Sequence, residues 1–396
     1  MKITDLKART VLVPLEAPLR HSTGVHPGRF IRTIIEVFTD EGIVGLGEVG
    51  GGDQRGALMK LKSRIVGEDP FNLERIKQKT LRQIYYLSNS RLYAAIENAC
   101  LDIQGKAANR PVCDLLGGRL RDKVPFSAYL FFRYREGDAG GETSPAEMVA
   151  HTKQLVADYG FRSLKLKGGV LPPRDEIKVM YALREALGPE FGLRIDPNAI
   201  WSRGTAIQAA KELEPLRLEY LEDPTWGLEG MARVKERTSI PLATNMCVVN
   251  FEHVAAAAAM NSVDVILSDI HYWEGCRGVK ALGVLCECFR WGLSMHSGSE
   301  LGVTLAAMIH TAATMPNMTY DGDAHYHHLL DDVIVGGKMK YEDGCISVPT
   351  GPGLGVELDE DRMGRYIELF EKEGDYYARF HEDTRRPDWF PINPQW

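Results

Sequence analysis

The stretch from Ser163 to Glu300 most narrows what this chain can fold into, because its short apolar runs repeatedly end in a polar residue. Ser-Leu-Lys-Leu-Lys carries Lys165 and Lys167, and Leu-Arg-Ile-Asp-Pro-Asn carries Asp196 and Asn198. Leu-Glu-Tyr-Leu-Glu-Asp-Pro carries Glu222, and Leu-Ser-Met-His carries His296. Asn245 after Ile-Pro-Leu-Ala-Thr and Asp269 after Val-Asp-Val-Ile-Leu-Ser repeat the design. Stretches of helical spacing separate the runs, at 146–159, 174–187, 206–213, 231–237, 251–260, 279–289 and 302–313. Short buried strands alternating with amphipathic helices predict a parallel α/β architecture. With 125–132 and 317–320 counted, eight strands are available, which favours a TIM-like barrel over a doubly wound sheet. The glycine pattern of a dinucleotide-binding turn is missing after any early strand.

Upstream, 3–13 predicts a strand and 20–29 a polar, glycine-bearing loop. Residues 33–39 and 43–48 predict two strands joined by the Asp40-Glu41-Gly42 turn, and 53–66, 72–87 and 93–108 predict helices. The expected division is an α+β domain over 1–122, a barrel over 123–344 and a C-terminal segment over 345–396. That last segment holds a glycine-rich turn, a helix at 360–373 and a tail, 379–396, that either folds back over the first domain or serves an oligomer contact.

A 396-residue chain with 44% hydrophobic and 26% charged residues can bury a large core. Its net charge of -7 gives no general attraction to nucleic acid, so an anionic substrate needs local lysine, arginine or metal. Seven scattered cysteines, an odd number, fit buried thiols better than a disulfide scaffold. Neither a signal-peptide core nor a membrane-length apolar run is present, so cytoplasmic residence without a membrane partner is the expectation.

Asp196, Glu222 and Asn245 follow three successive predicted strands, and two carboxylates with an amide oxygen suit Mg²⁺ better than a thiolate-seeking ion. The rival reading makes them helix caps or salt-bridge partners, with Asn245 capping the next helix. Lys165 and Lys167 share one face of their strand. Directed into a barrel mouth, their mutual repulsion, desolvation and a nearby cation would lower an amine pKa, making Lys167 a candidate general base and Lys165 its electrostatic partner. An exposed lysine-rich strand edge is the bland alternative. His296 ends the seventh strand and Asp269 the sixth, so the carboxylate can orient the imidazole; a structural histidine is the alternative.

Together these groups fit removal of a proton α to a carboxylate, where negative charge gathers on the carboxylate oxygens. Loss of a neighbouring hydroxyl then gives dehydration, and return of a proton to the opposite face gives epimerisation. The Gly-x-Ser-x-Gly elbow, the P-loop and the His-Glu-x-x-His zinc helix are all missing from the sequence.

Lys-Leu-Lys-Gly-Gly-Val-Leu at 165–171, Asp-Pro-Asn at 196–198, Glu-Asp-Pro at 222–224 and Ala-Thr-Asn-Met at 243–246 occur in this order. With Asp269, His271-Tyr272-Trp273 and 294–297, they resemble the enolase superfamily, and within it the glucarate dehydratase group. The resemblance implies a capping domain completed by C-terminal residues on a modified (β/α)₇β barrel. It implies Mg²⁺ on Asp196, Glu222 and Asn245, acid/base roles for Lys167 and for His296 with Asp269, and conversion of D-glucarate to 5-dehydro-4-deoxy-D-glucarate. It further implies a small acid-sugar substrate touched by His26, Tyr129, Asn198 and His325, and a homo-oligomer.

Two positions depart from the family pattern: His21 and Gly298 stand where the better-known glucarate enzymes resemble an asparagine. The arginine expected for the distal carboxylate has no clear C-terminal match, leaving Arg29, Arg32 and Arg91 as substitutes. Another acid sugar, an epimerase, or a catalytically silent barrel with a binding role therefore stay open.

Overall fold

The computed structural model describes residues 1–84, 87–377 and 381–396. The chain opens with β1 (Ile3–Pro14), followed by β2 (Leu19–His21), β3 (Gly24–His26), β4 (Arg29–Thr39) and β5 (Val44–Val49). β1, β4 and β5 form an antiparallel sheet turning at Asp40-Glu41-Gly42, as the sequence predicts. The expected loop at 20–29 is instead a hairpin of β2 on β3, buried because Leu19 bridges Arg133 and Arg20 N donates to Phe132 O.

Next come α1 (Arg55–Ile65), α2 (Leu73–Thr80), β6 (Gln83–Ile84), β7 (Leu87–Ser88), α3 (Ser90–Ala108) and α4 (Val112–Leu115). The helix expected over 72–87 ends at Thr80, and residues 85–86 of that range lie outside the described residues. Asn89 accounts for the stop: its Nδ2 donates to Thr80 O, and its Oδ1 accepts Arg82 N–H in place of a helical partner.

The barrel follows as β8 (Lys123–Phe131), α5 (Pro145–Tyr159), β9 (Ser163–Lys167), α6 (Pro173–Leu187), β10 (Gly192–Asp196), α7 (Arg203–Leu213), β11 (Tyr220–Glu222) and α8 (Leu228–Lys235). It continues with β12 (Leu242–Thr244), α9 (Phe251–Met260), β13 (Val265–Ser268), α10 (Gly275–Phe289), β14 (Gly292–Met295), α11 (Gly302–Ala313) and β15 (Gly322–Asp323). Neighbouring strands run parallel in the order β14-β13-β12-β11-β10-β9-β8-β15, and a bridge from Leu293 to Met318 nearly closes the ring. This is the expected α/β fold, a (β/α)₇β barrel beside an antiparallel sheet domain.

The eighth strand lies at Gly322–Asp323, later than the predicted 317–320. Thr319 and Tyr320 N–H groups are spent on Leu293 O, so pairing to β8 begins only at Gly322. The fourth strand also starts later than its apolar run, because Glu214–Leu216 forms a 3₁₀ turn around Pro215.

Past the barrel, β16 (Cys345–Ser347) pairs antiparallel with β8, and α12 (Glu360–Glu373) lies along β1, where Arg9 pairs with Glu360 and Phe370 packs on Leu12 and Ile31. Residues 379 and 380 of the expected tail lie outside the described residues. The described remainder meets the first domain where His381 Nδ1 lies 3.3 Å from Thr23 O and then runs on: Asp383 accepts Tyr134 OH at 2.6 Å, and Gln395 N donates to Ile200 O at 2.9 Å. The tail therefore crosses loops at the carboxyl end of the barrel. Among the described residues, no helix is long and apolar enough to cross a membrane.

Candidate functional site

Parallel in-register strands put paired residues on the same face, and this stacks the barrel interior in layers. Tyr129 pairs with Lys165 and Lys165 with Arg194; one layer further toward the carboxyl ends, Phe131 pairs with Lys167 and Lys167 with Asp196. Leu164 and Leu166 take the other face, and both inward lysines are buried. The exposed-edge alternative for these lysines does not hold.

Lys165 Nζ lies 2.9 Å from Glu222 Oε2, 2.5 Å from Asp323 Oδ2 and 4.0 Å from Asp196 Oδ2. Lys167 Nζ lies 2.5 Å from Asp196 Oδ2 and donates to Asn198 Oδ1 at 2.7 Å. Without a bound cation, these contacts run opposite to one expectation. Burial does pull both amines down, but the carboxylates, Asp323 and Glu222 for Lys165 and Asp196 for Lys167, outweigh it and leave both pKa values raised. Repulsion between the two lysines is the smaller effect because each ammonium has its own carboxylate within ion-pair distance.

The loop after β9 turns sharply at Gly169, whose φ is +73° and whose Cβ position would meet Pro197 O at 2.6 Å. Glu176 fixes that loop by accepting the N–H groups of Gly169, Val170 and Leu171. Asp223 does the same at the end of β12, taking Thr244 Oγ1 at 2.6 Å and Asn245 N at 2.8 Å. The cap of α9 is Asn250, so Asn245 is not spent as that helix's cap.

Asp196 and Glu222 thus end two adjacent strands and Asn245 directly follows the next. Among the described residues no group of three or more His, Cys, Asp or Glu is placed to hold a metal; this set contributes two carboxylates and an amide. Glu222 Oε1 and Asn245 Oδ1 are buried without a hydrogen-bond partner. Two oxygen acceptors left open beside the carboxylate of Asp196 fit a hard, oxygen-seeking cation.

Above this layer a cavity of about 350 Å³ opens between the barrel and the capping hairpin. Lys167, Asn198, Asn245, Asp269, His296, Tyr129, His26 and His325 all line it, whereas Lys165, Asp196 and Glu222 are sealed behind. His296 Nδ1 sits 2.9 Å from Asp269 Oδ2. The second carboxylate oxygen, Oδ1, receives His271 N at 2.7 Å and lies 3.0 Å from His271 Nδ1. Burial alone would raise the Asp269 pKa, but the two histidines hold it well below the usual carboxylate range. Burial lowers His296 while Asp269 pulls it partly back. With Nδ1 committed to Asp269, Nε2 is the nitrogen left for proton exchange. Burial, reinforced by Lys167, pushes His26 down to about 3, so its ring is neutral.

The sequence named Arg29, Arg32, Arg91 and Tyr272 but missed Asp323 and the C-terminal residues at the mouth. Asp323 on the short eighth strand holds Lys165, and Tyr272 stacks on His296 with ring centres 6.2 Å apart. Arg91 donates to Tyr272 OH at 2.7 Å and lines the cavity. Arg32 also lines it, bound to Glu48 at 2.5 Å and to Gly298 O at 2.9 Å, while Arg29 pairs with Glu373 outside. Tyr376, Tyr377 and His381 arrive from the C-terminal segment. No motif marked them; only the return of the chain brings them to the mouth.

Residues 3–117 match the family described as Mandelate racemase / muconate lactonizing enzyme, N-terminal domain, and 147–362 match Enolase C-terminal domain-like. A probable glucarate dehydratase of Streptomyces coelicolor is 37% identical over 100% of this chain and 99% of its own. An enolase of Mycobacterium smegmatis complexed with tartrate superposes with a TM-score of 0.94 at 40% identity, covering 100% of this chain and 98% of that one. An enolase of Thermobispora bispora complexed with magnesium and formate gives 0.93 at 41% identity, with both chains fully covered. With both parts of the chain matched and the barrel-end residues in place, the chain belongs to the enolase superfamily.

Proposed function

We propose that this protein is a Mg²⁺-dependent acid-sugar dehydratase whose first substrate is D-glucarate, giving 5-dehydro-4-deoxy-D-glucarate. One observation carries the reading: Lys167 and the Asp269-anchored His296 line one cavity together with Asn245. A substrate there meets proton-transfer groups from two separate strands. The description of the Streptomyces coelicolor relative and the small carboxylates in the solved relatives support the same chemistry.

In this mechanism Lys167, once its ammonium has given up a proton to become the neutral amine, removes the proton α to the carboxylate, and protonated His296 delivers a proton through Nε2 to the departing hydroxyl. Asp269 keeps the imidazole oriented and stabilises it when charged. Lys165, sealed behind the cavity, adds positive charge below the developing anion. Mg²⁺, which Asp196, Glu222 and Asn245 would hold, would supply positive charge that disfavours the neighbouring Lys167 ammonium and opposes the negative charge on the substrate carboxylate.

The test is NMR of the protein with Mg²⁺ and D-glucarate in D₂O, following α-deuterium and the deoxy-keto product. Product formation is expected. Deuterium exchange without product would replace dehydration by epimerisation, and neither signal across a panel of acid sugars would overturn the enzyme reading.

A further inference from the structure

Beside His296, three buried side chains form a hydrogen-bond chain that none of the steps above uses. Ser297 Oγ lies 2.8 Å from each carboxylate oxygen of Glu300 and 2.6 Å from His325 Nδ1. It also accepts the His325 backbone N–H at 2.9 Å, and Gly298 N donates to Glu300 Oε2 at 3.0 Å. Glu300 is 0% exposed and Ser297 1%.

Counting protons settles the direction of each bond. A hydroxyl has one proton and two lone pairs, and the His325 N–H already fills one pair. When Glu300 is ionised it is acceptor-only, so the Ser297 proton points to it and the second lone pair is filled by Nδ1–H of the ring. When Glu300 is protonated, its own proton takes that lone pair, the serine proton turns to Nδ1, and the ring proton sits on Nε2. Burial pushes the Glu300 carboxyl up to about 7, opposed by Arg32 and reinforced by Glu48; Tyr341 also faces it. Burial, with His26, Lys167, His296 and Lys165 around it, holds His325 well below its ordinary value, so the ring is neutral and carries a single proton.

We propose that Ser297 and ionised Glu300 are positioning residues that fix His325 in its Nδ1–H tautomer and so present Nε2 to the cavity as a hydrogen-bond acceptor. Among the described residues Nε2 makes no hydrogen bond. The neighbouring ring is Tyr129, 4.6 Å away between centres, whose buried hydroxyl has no partner and whose pKa burial raises to about 12. An acceptor beside a donor suits one hydroxyl, which gives a proton to Nε2 and takes one from Tyr129. A carboxylate at that point would offer lone pairs to a lone pair. The inference deepens the acid-sugar reading and, for the substrate class, rests on it: the position takes a hydroxyl-bearing carbon.

Histidine labelled with ¹⁵N reports ring tautomers directly, without substrate or turnover. Wild-type protein and the Ser297→Ala, Ser297→Thr and Glu300→Gln variants are compared well above pH 7, with His325→Gln assigning the signal. Wild type and Ser297→Thr are expected to show the Nδ1–H pattern, and Ser297→Ala and Glu300→Gln to lose it in favour of Nε2–H or a mixture. An Nε2–H ring in the wild type overturns the proposal even if a variant fails to fold, as does an unchanged ring in both disrupting variants. In turnover, the same two variants should raise KM about tenfold with a smaller change in kcat, the loss of roughly one hydrogen bond. Absence of dehydratase activity with the Nδ1–H ring intact would count against the reaction and leave the relay standing.

Discussion

Asp269 holds His296 through Oδ2 and His271 through Oδ1, so one carboxylate orients the candidate acid/base ring while a second histidine pins the carboxylate itself. His271 Nε2 in turn reaches Glu48 O at 3.3 Å, which ties the pair to the first domain. The ring's position is thus fixed from both parts of the molecule.

Asp269→Asn should move the pH dependence of turnover. Burial lowers the His296 pKa and Asp269 raises it, so removing the charge lets it fall further. The limb of the profile that requires protonated His296 should shift to lower pH by about one unit, with roughly tenfold loss at neutral pH. The measurement is kcat/KM against pH, and a superimposable profile would detach Asp269 from His296.

Lys167→Ala should abolish α-deuterium exchange, lowering it by about 10²–10⁴-fold, while leaving the barrel folded. Asp196 keeps Lys165 at 4.0 Å, so it is not stranded without a cation. Exchange at the wild-type rate would remove Lys167 as the base.

Asn245→Ala takes away a buried amide oxygen that has no protein partner, so stability should change little while Mg²⁺ binding weakens by tenfold or more, on the order of the loss of one ligand. Calorimetric titration with Mg²⁺ measures this, and equal affinity in the two proteins would exclude Asn245 as a ligand.

Arg32→Met should destabilise the protein by about 3–5 kcal/mol, because it strands a buried carboxylate. Glu48 is 0% exposed and also receives the Leu301 and Thr304 N–H groups at the start of α11, joining the sheet to the barrel. Urea unfolding reads the loss, and a midpoint within error of wild type would deny the pair its structural role.

Glu97, buried between α3 and the start of α10, has a carboxyl pushed up to about 7 by burial. A carboxylate raised in the folded state contributes stability that is fully present below its unfolded pKa and lost as pH rises through about 7. Glu97→Gln should therefore be the more stable protein at pH above 7, by up to roughly 3 kcal/mol, with little difference at pH 4. Parallel thermal melts at the two pH values check it, and a pH-independent difference would refute the shift.

The sequence by itself determined the barrel and the strand-end residues that face its mouth. Period-two alternation is local: once Leu164 and Leu166 face the helices, Lys165 and Lys167 must face inward, and the same rule aims Asp196 and Glu222. Which charges those lysines meet was not local. Asp323 reaches Lys165 from a strand more than 150 residues away, and Asp196 pairs with Lys167 where spacing alone suggested repulsion. The hairpin at 19–26 reads as a loop in sequence because it is held by backbone contacts to Phe132, Arg133 and the tail and not by its own pattern. Only closure of the ring and return of the C-terminus decided these contacts, since distant side chains meet by chain path and packing, and neither leaves a periodic mark in the sequence.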